Sequence, residues 1–309
     1  MRDGQRDTAL VRELTPVVEG LLERHLASSR EWFPHELVPW SRGRDFVAGE
    51  AWDPDEFALP DAVRSALFVN LLTEDNLPYY FATINQMFGD GAIPGDDAWA
   101  EWARRWTAEE MRHSIVIRDW LTVSRALDPV ALERARMAQV SQGLVPQPES
   151  VADGLVYVAL QELATQISHR NTGRLLHDKA GAQVMARVAG DETLHHVFYR
   201  DLTTAAFEVD PSAMTCALAR QVVGFEMPGT GIVDFDRHAL AIAGAEIYDF
   251  GVHHEQILEP MLEHWQVSAL EGLTAEAEDA RTRVFKHTER VGKAARRARS
   301  RRERQVAPV

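Results

Sequence analysis

The chain has 309 residues, 45% of them hydrophobic and 26% charged, which is ordinary globular composition with enough apolar material for one large core. No uninterrupted apolar run of about 18 residues occurs, so a membrane-spanning helix is not expected. The N-terminal stretch carries charges where a secretory signal needs an apolar segment. Cys216 is the single cysteine, so no internal disulfide can form and a cytoplasmic protein is the expectation. The net charge of −14 is uneven. Residues 281–304 hold eleven Lys/Arg against Glu289 and Glu303, a local sum of +9 that leaves −23 on the rest. An acidic body argues against nucleic-acid binding, whereas the basic end suits an acidic partner.

Helical periodicity dominates in chain order. Leu10, Val11, Leu14, Val17, Val18, Leu21 and Leu22 recur at three- and four-residue spacing and make one apolar face. Residues 32–60 contain Pro34, Pro39, Pro54 and Pro60 and read as an irregular crossing segment. Asp61 starts a helix reaching about Phe88, broken by the Gly89–Gly95 region. Within it Pro78 either removes the hydrogen bond to the Glu74 carbonyl, kinking the helix, or marks an end near Asn76. Asp96 or Asp97 caps a helix to Arg125, and Asp128-Pro129 opens another. Ser150 caps a helix through His177, and a further one spans about Ala180 to Phe207. The next opens at Asp210-Pro211 and closes at Met227-Pro228-Gly229. Weaker helices follow through Trp265 and from Thr274 towards the basic end. The fold class is all-α, with a bundle over residues 1–285 and a basic tail over 286–309, helical or flexible.

Two Glu-x-x-His pairs carry chemistry: Glu110 with His113, and Glu192 with His195. Residues three apart on a helix lie about 60° apart around the axis and about 4.5 Å along it, so both side chains reach one ion. One such pair is expected by chance about once in a Glu-rich chain with twelve His. The wider order is the stronger signal. Glu74 sits on the helix before the first pair and Glu162 on the helix before the second. This set matches the known ligand pattern of ferritin-like di-iron and di-manganese bundles, a match to a pattern rather than a derivation. Four carboxylates at about −4 balance two divalent ions, and oxygen-rich ligation with one imidazole per metal suits iron or manganese.

The residues around these ligands are similar to a known family. Thr73-Glu74-Asp75-Asn76-Leu77-Pro78 resembles the first ligand motif of the soluble acyl-[acyl-carrier-protein] desaturases, and Trp106-Thr107-Ala108-Glu109-Glu110-Met111-Arg112-His113 the second. Gln161-Glu162-Leu163-Ala164-Thr165 resembles the third and Asp191-Glu192-Thr193-Leu194-His195 the fourth. The resemblance runs from about Arg12 to Leu273 and is strongest to the actinobacterial branch. It implies a four-helix di-iron core with additional peripheral helices. It also implies removal of two hydrogens from an acyl chain on acyl carrier protein, using O2 and electrons from ferredoxin. Carried over, Glu74 and His113 are terminal ligands of one iron, Glu162 and His195 of the other, and Glu110 and Glu192 bridge. Thr165 lies beside the oxygen site. Trp32, His113 and Asp191 form a line from surface to metal, and Thr83, Met87 and Gly154 line the substrate channel. A homodimer is implied as well. Met111 and Ser114 stand where the family commonly has Asn and Gly, which leaves ligation intact because Met111 faces away from Glu110 and His113.

Plainer readings stand beside these. Trp99, Trp102 and Trp106 at helical spacing read as core packing. His169, His196, His253 and His254 read as solvated residues or outer partners of the ligands, and the basic run as a solvated tail. The competing functions are a di-iron hydroxylase or oxidase on a carrier-bound substrate and a non-catalytic iron-binding bundle.

Overall fold

The computed structural model describes residues 2–88 and 97–306, and every regular element among them is helical. Helix α1 (Arg2–Ser28) is followed by the short α2 (Pro34–Leu37), an irregular stretch, α3 (Asp61–Glu74), α4 (Leu77–Phe88) and α5 (Ala98–Ser124). Then come α6 (Pro129–Gln142), α7 (Val151–Leu175), α8 (Lys179–Val209), α9 (Pro211–Val223) and α10 (Phe235–Gly244). The chain ends with α11 (Phe250–His253), α12 (Glu259–His264) and the long α13 (Ala275–Val306).

The core bundle is α3, α5, α7 and α8, with α1 laid against α5 and α8. Helix α7 explains why the bundle closes around it. Val151 to Leu160 are buried without interruption, so this helix is apolar all round rather than on one stripe. It packs most extensively on α8, where Phe198 stacks on Trp102 of α5 with ring centroids 3.5 Å apart. Asp97, Asp128, Ser150, Asp178 and Asp210 each accept a backbone N–H at the start of their helix. Asp128, Ser150 and Asp210 are the openings read from sequence, Asp97 is one of the two caps offered for α5, and Asp178 is a cap the sequence reading lacks. The expected break at Gly89–Gly95 and the alternative cap Asp96 lie outside the described residues.

Two boundaries differ from the sequence reading. The single helix expected over Asp61–Phe88 is two, because α3 stops at Glu74 and α4 begins at Leu77. Pro78 has no N–H for the Glu74 carbonyl, and it occupies the first turn of α4, where none is required. The amides of Asp75 and Asn76 instead wrap back to Leu71 and Thr73, and the Asn76 side chain donates to the Leu144 carbonyl at 2.9 Å. Helix α9 ends at Val223 rather than near Met227, closed by the Gly224 amide on the Arg220 carbonyl. Between α11 and α12 the chain widens into a π turn at His254–Leu258, next to Pro260, which cannot donate to the Gln256 carbonyl. The basic stretch is helical and packs on α9 and α11. No described helix is long and apolar enough to cross a membrane.

The fit of α8 against α5 rests on a missing side chain. A Cβ on Gly181 would lie 2.3 Å from the ring of Trp120, which has no exposed surface and donates to Asp178. Gly181→Val is expected to lower the unfolding free energy by about 1–3 kcal/mol, read as a lower urea midpoint at unchanged slope. An unchanged midpoint would show that the Trp120 ring yields freely.

Candidate metal centre

The break after Glu74 sets the last turn of α3 against the middle of the bundle. There it meets Glu110 and His113 from α5, Glu162 from α7, and Glu192 and His195 from α8. All six are buried. Their donor atoms form two groups, each with its atoms within 4.8 Å of one another: Glu74, Glu110, His113 and Glu192, and Glu110, Glu162, Glu192 and His195. Glu110 and Glu192 belong to both. Two ions held by such a set share two carboxylates, the division of roles that the sequence motifs imply.

The donor atoms themselves test whether metal fits. Glu110 Oε1, His113 Nδ1, Glu162 Oε2, both Glu192 oxygens and His195 Nδ1 are buried without a hydrogen-bond partner. His113 Nδ1 lies 3.4 Å from Glu110 and from Glu192, and His195 Nδ1 lies 2.8 Å from Glu110, none in hydrogen-bonding geometry. Leaving that many buried polar atoms unsatisfied costs several kcal/mol, and divalent cations at their focus satisfy them together. Oxygen and imidazole donors in this number fit a pair of hard or borderline divalent ions.

Four of the six donors, Glu74, His113, Glu162 and His195, are also held from behind. Glu109 Oε2 lies 2.9 Å from His195 Nε2 and 2.9 Å from His25 Nε2 of α1, so a carboxylate acceptor holds a proton on His195 Nε2 and turns Nδ1 towards the centre. Arg105 closes on the other Glu109 oxygen at 2.5 Å. Asp191 does the same for His113 at 3.4 Å, and is itself held by Arg187 and by the Trp32 indole N–H at 2.8 Å. Trp32 is buried, with Arg112 and Arg187 over its ring at 4.9 and 5.5 Å. His169 Nε2 reaches Glu74 at 2.8 Å, and the Trp106 N–H donates to Glu162 at 3.1 Å. Trp32, Asp191 and His113 thus lie in one hydrogen-bonded series.

Several plain readings need correcting. Trp106 is a hydrogen-bond partner of a candidate ligand as well as a packing residue, while Trp102 and Trp99 are buried in the core. Neither His196 nor His253 is a solvated residue: the former bonds the Ala159 carbonyl at 3.0 Å, and the latter bonds the Tyr248 hydroxyl at 2.9 Å. Met111 is 51% exposed and points away from the centre. His169 takes the second of its two sequence readings, an outer partner of a ligand, whereas the roles of Glu109 and His25 escaped the sequence reading. A signal for Glu109 was present: an acid precedes both bridging candidates, Glu109 before Glu110 and Asp191 before Glu192.

A largely apolar cavity leads to the centre. Glu74, Glu110, Glu192 and Thr165 form its inner wall, with Tyr80, Thr83, Ile84, Met87 and Tyr157 along its length and Pro146, Pro148 and Pro228 also bordering it. Thr165 exchanges hydrogen bonds with Gln161, donating to its carbonyl at 2.9 Å and accepting from its amide at 2.8 Å. Gly154 meets the cavity through Met87, whose sulfur occupies the space a Cβ on Gly154 would need, 1.7 Å away.

The protonation of the metal-free centre follows from burial and crowding. Burial, then repulsion from Glu192 and Glu110, holds the Glu162 carboxyl well above the usual range. Burial opposes charge on His113 and His195, but facing carboxylates outweigh it and raise both. Burial likewise opposes charge on Glu109 and Asp191, yet their histidine partners hold both below the usual range.

Comparison with known proteins places this geometry. Residues 6–308 match a family model described as fatty acid desaturase. The chain is 42% identical over 280 residues to a Mycobacterium tuberculosis protein named acyl-[acyl-carrier-protein] desaturase DesA1, covering 87% of this chain and 81% of that one. It is 33% identical over 248 residues to stearoyl-[acyl-carrier-protein] 9-desaturase 6 of Arabidopsis thaliana, covering 76% and 63%. The X-ray structure of acyl-ACP desaturase DesA2 from Mycobacterium tuberculosis superposes with a TM-score of 0.71 at 27% identity, covering 88% of this chain and 99% of that chain.

Two outcomes are expected. Raised pKa values on Glu162, His113 and His195 mean that the metal-free centre carries protons which bound cations displace. Loading with Fe2+ under argon should release protons near neutral pH, and affinity should fall as pH falls. Loading with no proton release, followed with a pH indicator in weak buffer, would contradict this. Glu109→Gln should weaken binding at the His195 side by about 10- to 100-fold, measured by competition with a chelator.

Proposed function

We propose, because this chain belongs to the fatty acid desaturase family, that it removes two hydrogens from an acyl chain carried on acyl carrier protein. The observation that carries the reading is the pair of overlapping donor groups, sharing Glu110 and Glu192, on the inner wall of an apolar cavity. Glu74 and His113 would hold one ion, Glu162 and His195 the other, and Glu110 and Glu192 would contribute to both. Iron is the metal that suits the chemistry. When bound it supplies, with O2 and two electrons from ferredoxin, an oxidant strong enough for an unactivated C–H bond, which side-chain acid–base groups cannot cleave.

The protein's own residues bind, orient and exclude water. The acyl chain lies along Tyr80, Ile84, Met87 and Tyr157, where apolar walls hold it without water, and the carbon pair that loses hydrogen is the pair beside Glu74, Glu110 and Glu192. Thr165 places a hydroxyl at that point of the wall, beside the oxygen site. Thr83, Met87 and Gly154 shape the channel. Trp32, Asp191 and His113 form a continuous hydrogen-bonded line from near the surface to the centre, suited to delivering electrons. The Asp191 carboxylate stays charged along this line, because Trp32, Arg187 and His113 all face it. A cytoplasmic homodimer completes the reading.

The test is anaerobic loading with Fe2+, then exposure to O2, reduced ferredoxin and acyl carriers of several chain lengths. A product lighter by two hydrogens is expected. A product heavier by one oxygen would make the protein a hydroxylase, and no O2-dependent change with any carrier would favour a non-catalytic iron-binding bundle. Turnover on Mn2+ but not on Fe2+ would overturn the assignment of iron.

A further inference from the structure

Helix α13 presents an unusual surface. Arg283, Lys286, Arg290, Lys293, Arg297 and Arg301 recur at three- and four-residue steps, and at 100° per residue they fall within an arc of about 80° over roughly 27 Å. All six are exposed, whereas Val284, Val291 and Ala295, on the opposite side, are buried. No acidic residue interrupts the arc. Lys293 pairs with Glu289 at 2.6 Å, and the other five make no ion pair among the described residues. A solvated helix normally mixes signs along one face, so a row of six cations with five unpaired is a binding feature for negative charge.

Its position links it to the cavity. A groove lined by Gln147, Glu149, Arg220, Gln221, Gly224 and Arg283, with Glu149 facing Arg220 at 3.9 Å, runs from the first cation of the row to the loop holding Pro146 and Pro148, which border the cavity. Gln147 donates to Thr83 of the cavity wall at 3.2 Å. From Gly224 the chain continues into Phe225, which packs on the cavity residue Tyr157 with ring centroids 5.9 Å apart. The row therefore begins beside the substrate cavity. The rest of the molecule sums to −23, so an acidic partner is repelled by the body and drawn to this helix.

We infer that the cationic row of α13 is the docking surface for the acidic body of the acyl carrier, which seats there while its acyl arm enters the neighbouring cavity. This rests on the carrier-bound substrate proposed above. The row supplies attraction and orientation, and the cavity supplies the fit to the chain.

The test reverses charge at three positions nearest the groove, R283E/K286E/R290E. The Kd for unacylated holo-carrier, measured by calorimetry, should rise by about tenfold or more at low salt and by about twofold or less near 0.5 M salt. The KM for acylated carrier should follow the same pattern with kcat unchanged, and turnover of an acyl-pantetheine, which lacks the carrier body, should match the wild type. The milder K286Q/R290Q variant should shift Kd in the same direction by less, which separates docking from a folding defect. A low-salt Kd within twofold of the wild type in a variant of unchanged helix content would overturn the inference, even if the protein desaturates. A wild type that binds the carrier through this row but oxidises no acyl chain would support the surface and refute the proposed reaction.

Discussion

Four carboxylates and two imidazoles aimed at one another inside a dry helical bundle dominate the energetics of this protein. Each uncompensated buried charge costs several kcal/mol, which is a large share of a domain's net stability. The atoms left without partners, Glu110 Oε1, Glu162 Oε2, both Glu192 oxygens and the two Nδ1 atoms, are the atoms that face the common centre. Behind Glu74, Glu162, His195 and His113 stand His169, Trp106, Glu109 and Asp191 in turn. The bundle thus spends its hydrogen bonds on orienting the donors and leaves their inward sides open for cations.

The orienting contacts follow an internal rule. On α5 the acid before the bridging candidate, Glu109, holds the histidine of α8. On α8 the acid before the other bridging candidate, Asp191, holds the histidine of α5. The two helices therefore fix each other's ligands in crossed fashion. The outer partners then diverge: Glu109 continues to a second buried histidine, His25, and Asp191 continues to the indole of Trp32 between two arginines. A centre built with matched halves is connected to different surroundings on each side.

The cavity and the basic helix extend the same division of labour outward. The cavity walls are apolar, and Met87 seated against the bare backbone of Gly154 defines part of their shape. Charge acts at longer range, and the chain keeps it on α13, where neither the core nor the centre is disturbed. An acidic body with one cationic helix is a field that orients an acidic visitor before any contact forms.

The sequence by itself determined the helical class and the caps at Asp128, Ser150 and Asp210, and it marked the six candidate ligands, because periodicity, capping and Glu-x-x-His spacing are local along the chain. It left two readings of Pro78 open, and folding chose the break, because the amides of Asp75 and Asn76 found other carbonyls and Asn76 found the Leu144 carbonyl. Only the tertiary structure decided that His25 and His169 stand behind ligands and that Trp106 bonds one. These contacts join residues 84, 95 and 56 positions apart, and no periodicity encodes such pairings. The cationic row is local in sequence but became a surface only when Val284, Val291 and Ala295 found cover, since burying one side of a helix is what turns the other towards solvent.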